Sequence, residues 1–143
     1  MTSPNILKTR EIWEQVHSPS GLAFPETVKA LASLGVTRYR IDYTAAKVTT
    51  YLDHTGETDI TDFPLMASLS HITLGSQKWD AYALVTAIRG AQAGTIGGFP
   101  AFCAAAVAAG VTDYTCYIDG QRVVYSGANG DAHTEWFPGA KKD

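Results

Sequence analysis

The segment FPETVKALASLGVTRY, residues 24–39, recurs without gaps 75 residues later as FPAFCAAAVAAGVTDY, residues 99–114, with seven of sixteen positions identical. A repeat of this kind has to be read before any local pattern, because overlooking it misassigns the whole fold. The identities fall where backbone geometry is demanding. Phe-Pro opens each copy, and proline's fixed φ suits a first helical turn. Gly35 and Gly110 close the helical stretch, where glycine accepts the left-handed conformation. Val-Thr-x-Tyr then enters a strand in both copies. A one-residue deletion brings Tyr51 over Tyr125 and Gly56 over Gly130, extending the match through a hairpin.

Each Phe-Pro is preceded by a second helical stretch, at 6–17 and 79–92. Ile6, Ile12, Trp13 and Val16 in the first, and Tyr82, Val85 and Ile88 in the second, recur near helical spacing. A third strand is expected at 54–61 in one copy and 133–137 in the other. The chain therefore reads as α+β: a single domain, 1–143, of two tandem helix-helix-strand-strand(-strand) repeats. They run over about 5–62 and 76–138, with a connector at 63–75 and an antiparallel sheet covered by the helices. A length of 143 residues with 45% hydrophobic content suits one domain with one core.

Alternation sorts the strand side chains into faces. Tyr39, Ile41 and Tyr43 share one face and Arg38, Arg40 and Asp42 the other, while Tyr114, Cys116 and Ile118 match the first. The aromatic face is expected in the core. The polar face either binds an anion or forms exposed ion pairs.

A net charge of −3 gives no basic footprint, so nucleic acid is not expected as a partner. The longest weakly polar stretch, 99–111, is broken by Pro100 and Gly110 and falls short of the roughly 20 apolar residues of a membrane span. The N-terminal sequence has no secretory pattern, which points to the cytoplasm and no membrane association. Cys103 and Cys116 lie thirteen apart with no CxxC and no histidine at zinc spacing, so no metal is expected, and each reads as a small buried hydrophobe. Walker, GxGxxG-after-strand, GxSxG and HExxH patterns are absent, and no cofactor is implied. The glycine-rich GTIGGF at 94–99 follows no strand and reads as an inter-helix loop.

The segment FPAFCAAAVAAGVTDYTCYIDGQRVVYSGANG, preceded by GAQAGT, resembles the C-terminal half of the DUF1398 (YbcV-like) family of uncharacterised small proteins. The positions that carry the resemblance are Gln92, Gly94, Thr95, Phe99, Pro100, Phe102, Cys103, Gly110, Val111, Tyr125 and Gly130. Residues 35–56 are similar to the family's first half. The chain departs by two extra residues between Thr95 and Phe99 and by a second alanine-rich helix. The resemblance implies a fold but no catalytic motif, and some family members carry a phage-envelope label.

The remaining signal is a surplus of tyrosine and tryptophan. Such side chains, apolar with a polar tip, line small-molecule pockets and also build aromatic cross-strand pairs in a core. On the pocket reading, Trp79, Tyr43, Tyr51, Tyr114 and Tyr82 contact the ligand, a small apolar molecule. His71, Asp42, Arg40 and Tyr39 supply acid, base and donor groups for a cofactor-independent isomerase or cyclase, a chemistry that needs shape, desolvation and few polar groups. The alternative is a non-catalytic ligand-binding or protein-interaction module, phage-associated or forming a homodimer through a sheet face or helix.

Overall fold

The Phe-Pro pairs at 24–25 and 99–100 open helices in the computed structural model, which describes residues 2–18, 21–64, 69 and 74–140. The elements are α1 (Pro4–His17), α2 (Phe24–Ser33), β1 (Arg38–Asp42), β2 (Lys47–Leu52), β3 (Glu57–Asp62), α3 (Ala81–Ala93), α4 (Phe99–Ala108), β4 (Val111–Tyr117), β5 (Arg122–Gly127) and β6 (Ala132–Trp136). The Ser3 hydroxyl accepts from the Ile6 N–H at the start of α1, and the Asp80 carboxylate from the Ala83 N–H at the start of α3. These caps satisfy amide donors that a helix leaves open at its first turn. Gly35 and Gly110, with φ of 90° and 98°, turn the chain from α2 into β1 and from α4 into β4. None of the described helices is long and apolar enough to cross a membrane.

The described strands form one antiparallel sheet in the order β3-β2-β1-β4-β5-β6. The fold is α+β, with four helices and this six-stranded sheet among the described residues. At the centre, β1 pairs with β4, Tyr39 opposite Cys116 and Ile41 opposite Tyr114. Two backbone hydrogen bonds close the ends of that pairing, from Tyr43 N–H to Thr112 C=O at 3.0 Å and from Ile118 N–H to Thr37 C=O at 2.9 Å.

The register corrects one sequence correspondence. Tyr39 faces Thr50 across β1 and β2, and Tyr114 faces Tyr125 across β4 and β5. At the offset of 75 it is Thr50, not Tyr51, that occupies the place of Tyr125. A one-residue slip moves a strand side chain to the other face, and Tyr51 accordingly lies on the face opposite Tyr125. The shortening sits later, in the second hairpin, where Tyr51 opposes Thr58 but Ser126 opposes Ala132.

The aromatic face is the buried one. Tyr39, Ile41, Tyr43, Val48, Leu52, Tyr114, Cys116 and Val123 pack beneath Ile6, Trp13, Leu31, Leu84, Ile88 and Val107 of the helices, and Phe63 and Leu69 join from the segment between β3 and α3. The opposite face carries Arg38, Arg40, Tyr51, Tyr117 and Trp136 and has no helix over it among the described residues. Arg10 ties α1 to β3 through both oxygens of Asp59, at 2.8 and 3.0 Å.

Trp79 fixes the entry to α3 by lying on two glycines. A Cβ at Gly110 would come 2.7 Å from Trp79 Cα, and one at Gly127 2.8 Å from its ring, whereas a Cβ at Gly35 would meet nothing within 4 Å. Both Gly35 and Gly110 are left-handed, which costs an L-residue about 1–2 kcal/mol. Gly35→Ala is therefore expected to lose about that amount in chemical denaturation, and Gly110→Ala distinctly more, because its clash is with backbone that cannot rotate away.

Candidate ligand-binding site

A cavity of about 730 Å³ opens between the buried sheet face and the helices. Its floor includes Tyr39, Tyr114 and Tyr125, which project from adjacent strands β1, β4 and β5 because alternation puts them on one face. Trp13 of α1, Ile88 of α3 and Phe102 of α4 wall it, and the T-shaped pair of Phe24 and Phe137, ring centroids 5.6 Å apart, stands at its edge. The GTIGGF loop contributes Gly94, Ile96 and Gly98. Both the size and the aromatic lining are those of small-organic-ligand sites.

Polar groups are few and mostly engaged. The Trp13 indole N–H donates to Thr50 Oγ1 at 3.0 Å. Glu135 of β6 reaches the cavity edge. Its Oε2 accepts from Arg89 Nη1 at 2.6 Å and its Oε1 lies 3.1 Å from His133 Nε2. Burial pushes the Glu135 carboxyl up, but the hydrogen bonds and charge of Arg89 and His133 outweigh it, and the net shift is downward, toward the carboxylate. Arg89 also donates to the Gln92 side-chain oxygen at 3.0 Å.

Burial raises the hydroxyls of Tyr39, Tyr114 and Tyr125 above the ordinary phenol range, with nearby cysteine thiols adding to the effect. They are O–H donors, not bases. Cys103 and Cys116 are fully buried, and burial pushes both thiols up to about 12, which leaves them unreactive.

The structure distributes the sequence-predicted site residues over several places. Tyr39 and Tyr114 line the cavity. Tyr43 shares their face but is sealed beneath the floor, its hydroxyl facing the Cys103 thiol without the geometry of a hydrogen bond. Arg40 and Asp42 point from the opposite face of the sheet, where Arg40 pairs with Asp113 at 3.2 Å and Asp42 at 3.5 Å. That is the exposed ion-pair alternative, remote from the cavity. Tyr51 lies on that face too, under the Arg38 guanidinium at 3.7 Å. Tyr82 is 84% exposed on α3. Trp79 lines a separate hollow of about 100 Å³ beside Gly110. His71 lies outside the described residues. The expected group of Tyr39, Arg40 and Asp42 is thus split between two faces by the same alternation that sorted them.

Sequence reasoning passed over Tyr125, Glu135, Phe24, Phe99 and Phe102 as site residues. For Tyr125 the signal was the alternation Val123, Tyr125, and for Phe24 and Phe99 it was the repeat itself. Glu135 meets Arg89 across 46 residues of chain, and nothing local announces that contact.

No family model matches the chain, and neither a curated protein nor a solved structure matches it.

His17 ends α1 against Trp13, Phe63 and Phe99, at ring centroid distances of 6.0, 5.7 and 5.5 Å. Its Nε2 is buried without a partner among the described residues. Burial lowers its pKa to about 4, opposed by a bond to the Trp13 backbone. The unfolded chain, with histidine near 6.5, binds this proton first. Stability contributed by neutral His17 is therefore whole above about pH 6.5 and is lost as the pH falls toward 4. In melts from pH 7 to 4, His17→Phe is expected to flatten the decline in Tm. An unchanged slope would show that His17 titrates normally.

Proposed function

We propose that this chain binds a small, largely apolar organic molecule in the cavity between its sheet and helices, and that its chemistry is a cofactor-independent rearrangement of isomerase or cyclase type. The observation that carries the reading is the cavity itself: about 730 Å³, walled by Trp13, Phe102 and the tyrosine floor. Apolar walls displace water from a bound ligand and hold a flexible one in one shape, which is what a cyclisation or isomerisation most requires. Phenol donors in the floor polarise a ligand oxygen there, and Glu135 is the acidic group at its edge. Arg40 and Asp42 have no part in this site. A protein that holds the same ligand without transforming it would be built identically, so turnover of a bound compound is what separates enzyme from carrier.

Internal duplication is part of the proposal. The helix-helix-three-strand order occurs twice, and the central hairpins share register at the offset of 75. The backbone bonds at both ends of the β1–β4 pairing are related by that offset, as are the two non-glycine left-handed residues among those described, Ala46 and Gln121. On this reading the cavity is where two copies in one domain diverged, since Ile88 stands where the first copy has Trp13. The resemblance to the DUF1398 family rests on the Gln92–Gly130 residues and adds no function.

Ile88→Trp tests the pocket, because it places an indole into the cavity from α3. A saturating ligand at about 100 times its Kd adds about 2.7 kcal/mol to stability. Members of a panel of apolar ring compounds are expected to raise the Tm of the parent by several degrees and to leave Ile88→Trp unmoved. If no compound shifts the parent, or if the shift survives in the variant, the cavity is not a ligand site.

A further inference from the structure

We propose that the ligand carries a carbonyl-type oxygen, seated on the hydroxyls of Tyr114 and Tyr125 acting together. The inference rests on the pocket reading and adds to it the chemistry of the occupant.

Tyr114 and Tyr125 are direct cross-strand partners on β4 and β5, with ring centroids 5.2 Å apart and planes inclined by 39°. Side chains paired in this way leave the sheet in the same direction. Their rings therefore rise from the sheet next to each other, and both residues line the cavity. The two residues are only 4% and 6% exposed, no hydrogen bond joins either hydroxyl to a described residue, and neither oxygen is among the polar atoms sealed from solvent without a partner. Two hydroxyls that open onto the same cavity, with no acceptor among the described residues taking either, are available to a ligand.

A census of the other polar lining groups gives the sign of that partner. Trp13 donates to Thr50, and Thr27 to the Ala23 carbonyl at 3.0 Å. The Gln92 side-chain oxygen is taken by Arg89, which leaves its amide N–H groups open, and both oxygens of Glu135 are matched by Arg89 and His133. Tyr39 rests against the thiol of Cys116, its cross-strand partner. What is left over among these side chains is donor capacity: the phenols of Tyr114 and Tyr125, with the Gln92 amide N–H groups and the Tyr39 phenol beside them. A cation or amine finds its natural carboxylate already neutralised, and a pure hydrocarbon leaves both phenols unmet. A ketone, aldehyde, ester or lactone oxygen has two lone pairs and accepts from both, while the rest of its skeleton lies on the aromatic walls. The same double donation would draw electron density toward that oxygen and acidify the adjacent carbon, the step an isomerase or cyclase of this class needs.

The test compares acetylnaphthalene with ethylnaphthalene, which differ by the carbonyl, on the intact chain and on Tyr114→Phe and Tyr125→Phe. Loss of one neutral hydrogen bond corresponds to roughly a three- to tenfold change in Kd. The parent is expected to prefer the ketone, each variant to weaken ketone binding by about that factor, and neither to alter hydrocarbon binding. The infrared carbonyl stretch of the bound ketone should lie below its position in hexane and move back up in each variant. Both ligand-free variants should melt no lower than the parent, because no intramolecular hydrogen bond is removed.

Equal affinity for the two probes, an unshifted carbonyl stretch, or ketone and hydrocarbon weakened alike would overturn the carbonyl assignment while leaving the pocket standing. If neither probe binds, the pocket reading falls and the assignment with it.

Discussion

Everything in this molecule hangs on the pairing of β1 with β4. On its two sides lie three-stranded antiparallel sheets, β3-β2-β1 and β4-β5-β6, each with one apolar face to bury. Joined at the centre they become six strands with a continuous buried face wide enough for four helices. The join is specified at both ends by main-chain bonds, Tyr43 to Thr112 and Ile118 to Thr37, and between them by Tyr39 on Cys116 and Ile41 on Tyr114. A slip of one residue would turn Tyr39 and Ile41 outward and bring Arg38 and Arg40 under the helices. The cost of burying two guanidinium groups, matched on the open face by Asp53, Asp42 and Asp113, makes that alternative untenable.

The cavity follows from that join and from an inequality between its sides. On the β1–β2 side, Trp13 comes down onto the sheet, its ring edge-on to Tyr39 at 4.9 Å and its indole N–H bonded to Thr50. A large side chain and a short one complete each other there. On the β4–β5 side, Tyr125 occupies the register position of Thr50, and α3 presents Ile88, which is smaller and has no donor. Space and an unmet phenol result together. Phe24 and Phe99, whose position before proline looked like helix-start chemistry alone, turn their rings to line this space.

Most of the fold was legible in the sequence, and little of the site was. Phe-Pro, Gly35 and Gly110 announce helix starts and stops by local stereochemistry, and alternation from Tyr39 to Tyr43 names the buried face correctly. Neither signal depends on distant residues. The third strand of the first half starts later than expected, at Glu57, because the turn at 53–56 has no strong proline or glycine frame before Gly56. The site failed for a different reason. Polar residues drew attention to Arg38, Arg40 and Asp42, yet in an alternating strand those are the residues that face water. A ligand cavity in a sheet-and-helix layer lies on the apolar side, where the informative residue is the aromatic with a polar tip. Separating Tyr114 and Tyr125 from Tyr43 requires knowing where the helices stand, and that is tertiary.

Polar groups without partners among the described residues are of two kinds, sealed and cavity-facing, and the difference bears on how binding is driven. His17 Nε2 and the Tyr43 hydroxyl are sealed from solvent, so their desolvation is a standing cost to the folded state. They sit on either side of Phe63, whose ring is 5.7 Å from His17 and 5.5 Å from Tyr43, in a part of the core that trades polarity for aromatic contact. Tyr114 and Tyr125 face the cavity instead, where a water can meet each hydroxyl while the apolar walls around it gain nothing. A ligand that replaces such water hydrogen bond for hydrogen bond, and covers the walls as well, keeps the polar enthalpy and adds apolar burial. The wall supplies affinity, and the two phenols set which atom of the ligand comes to rest against the sheet.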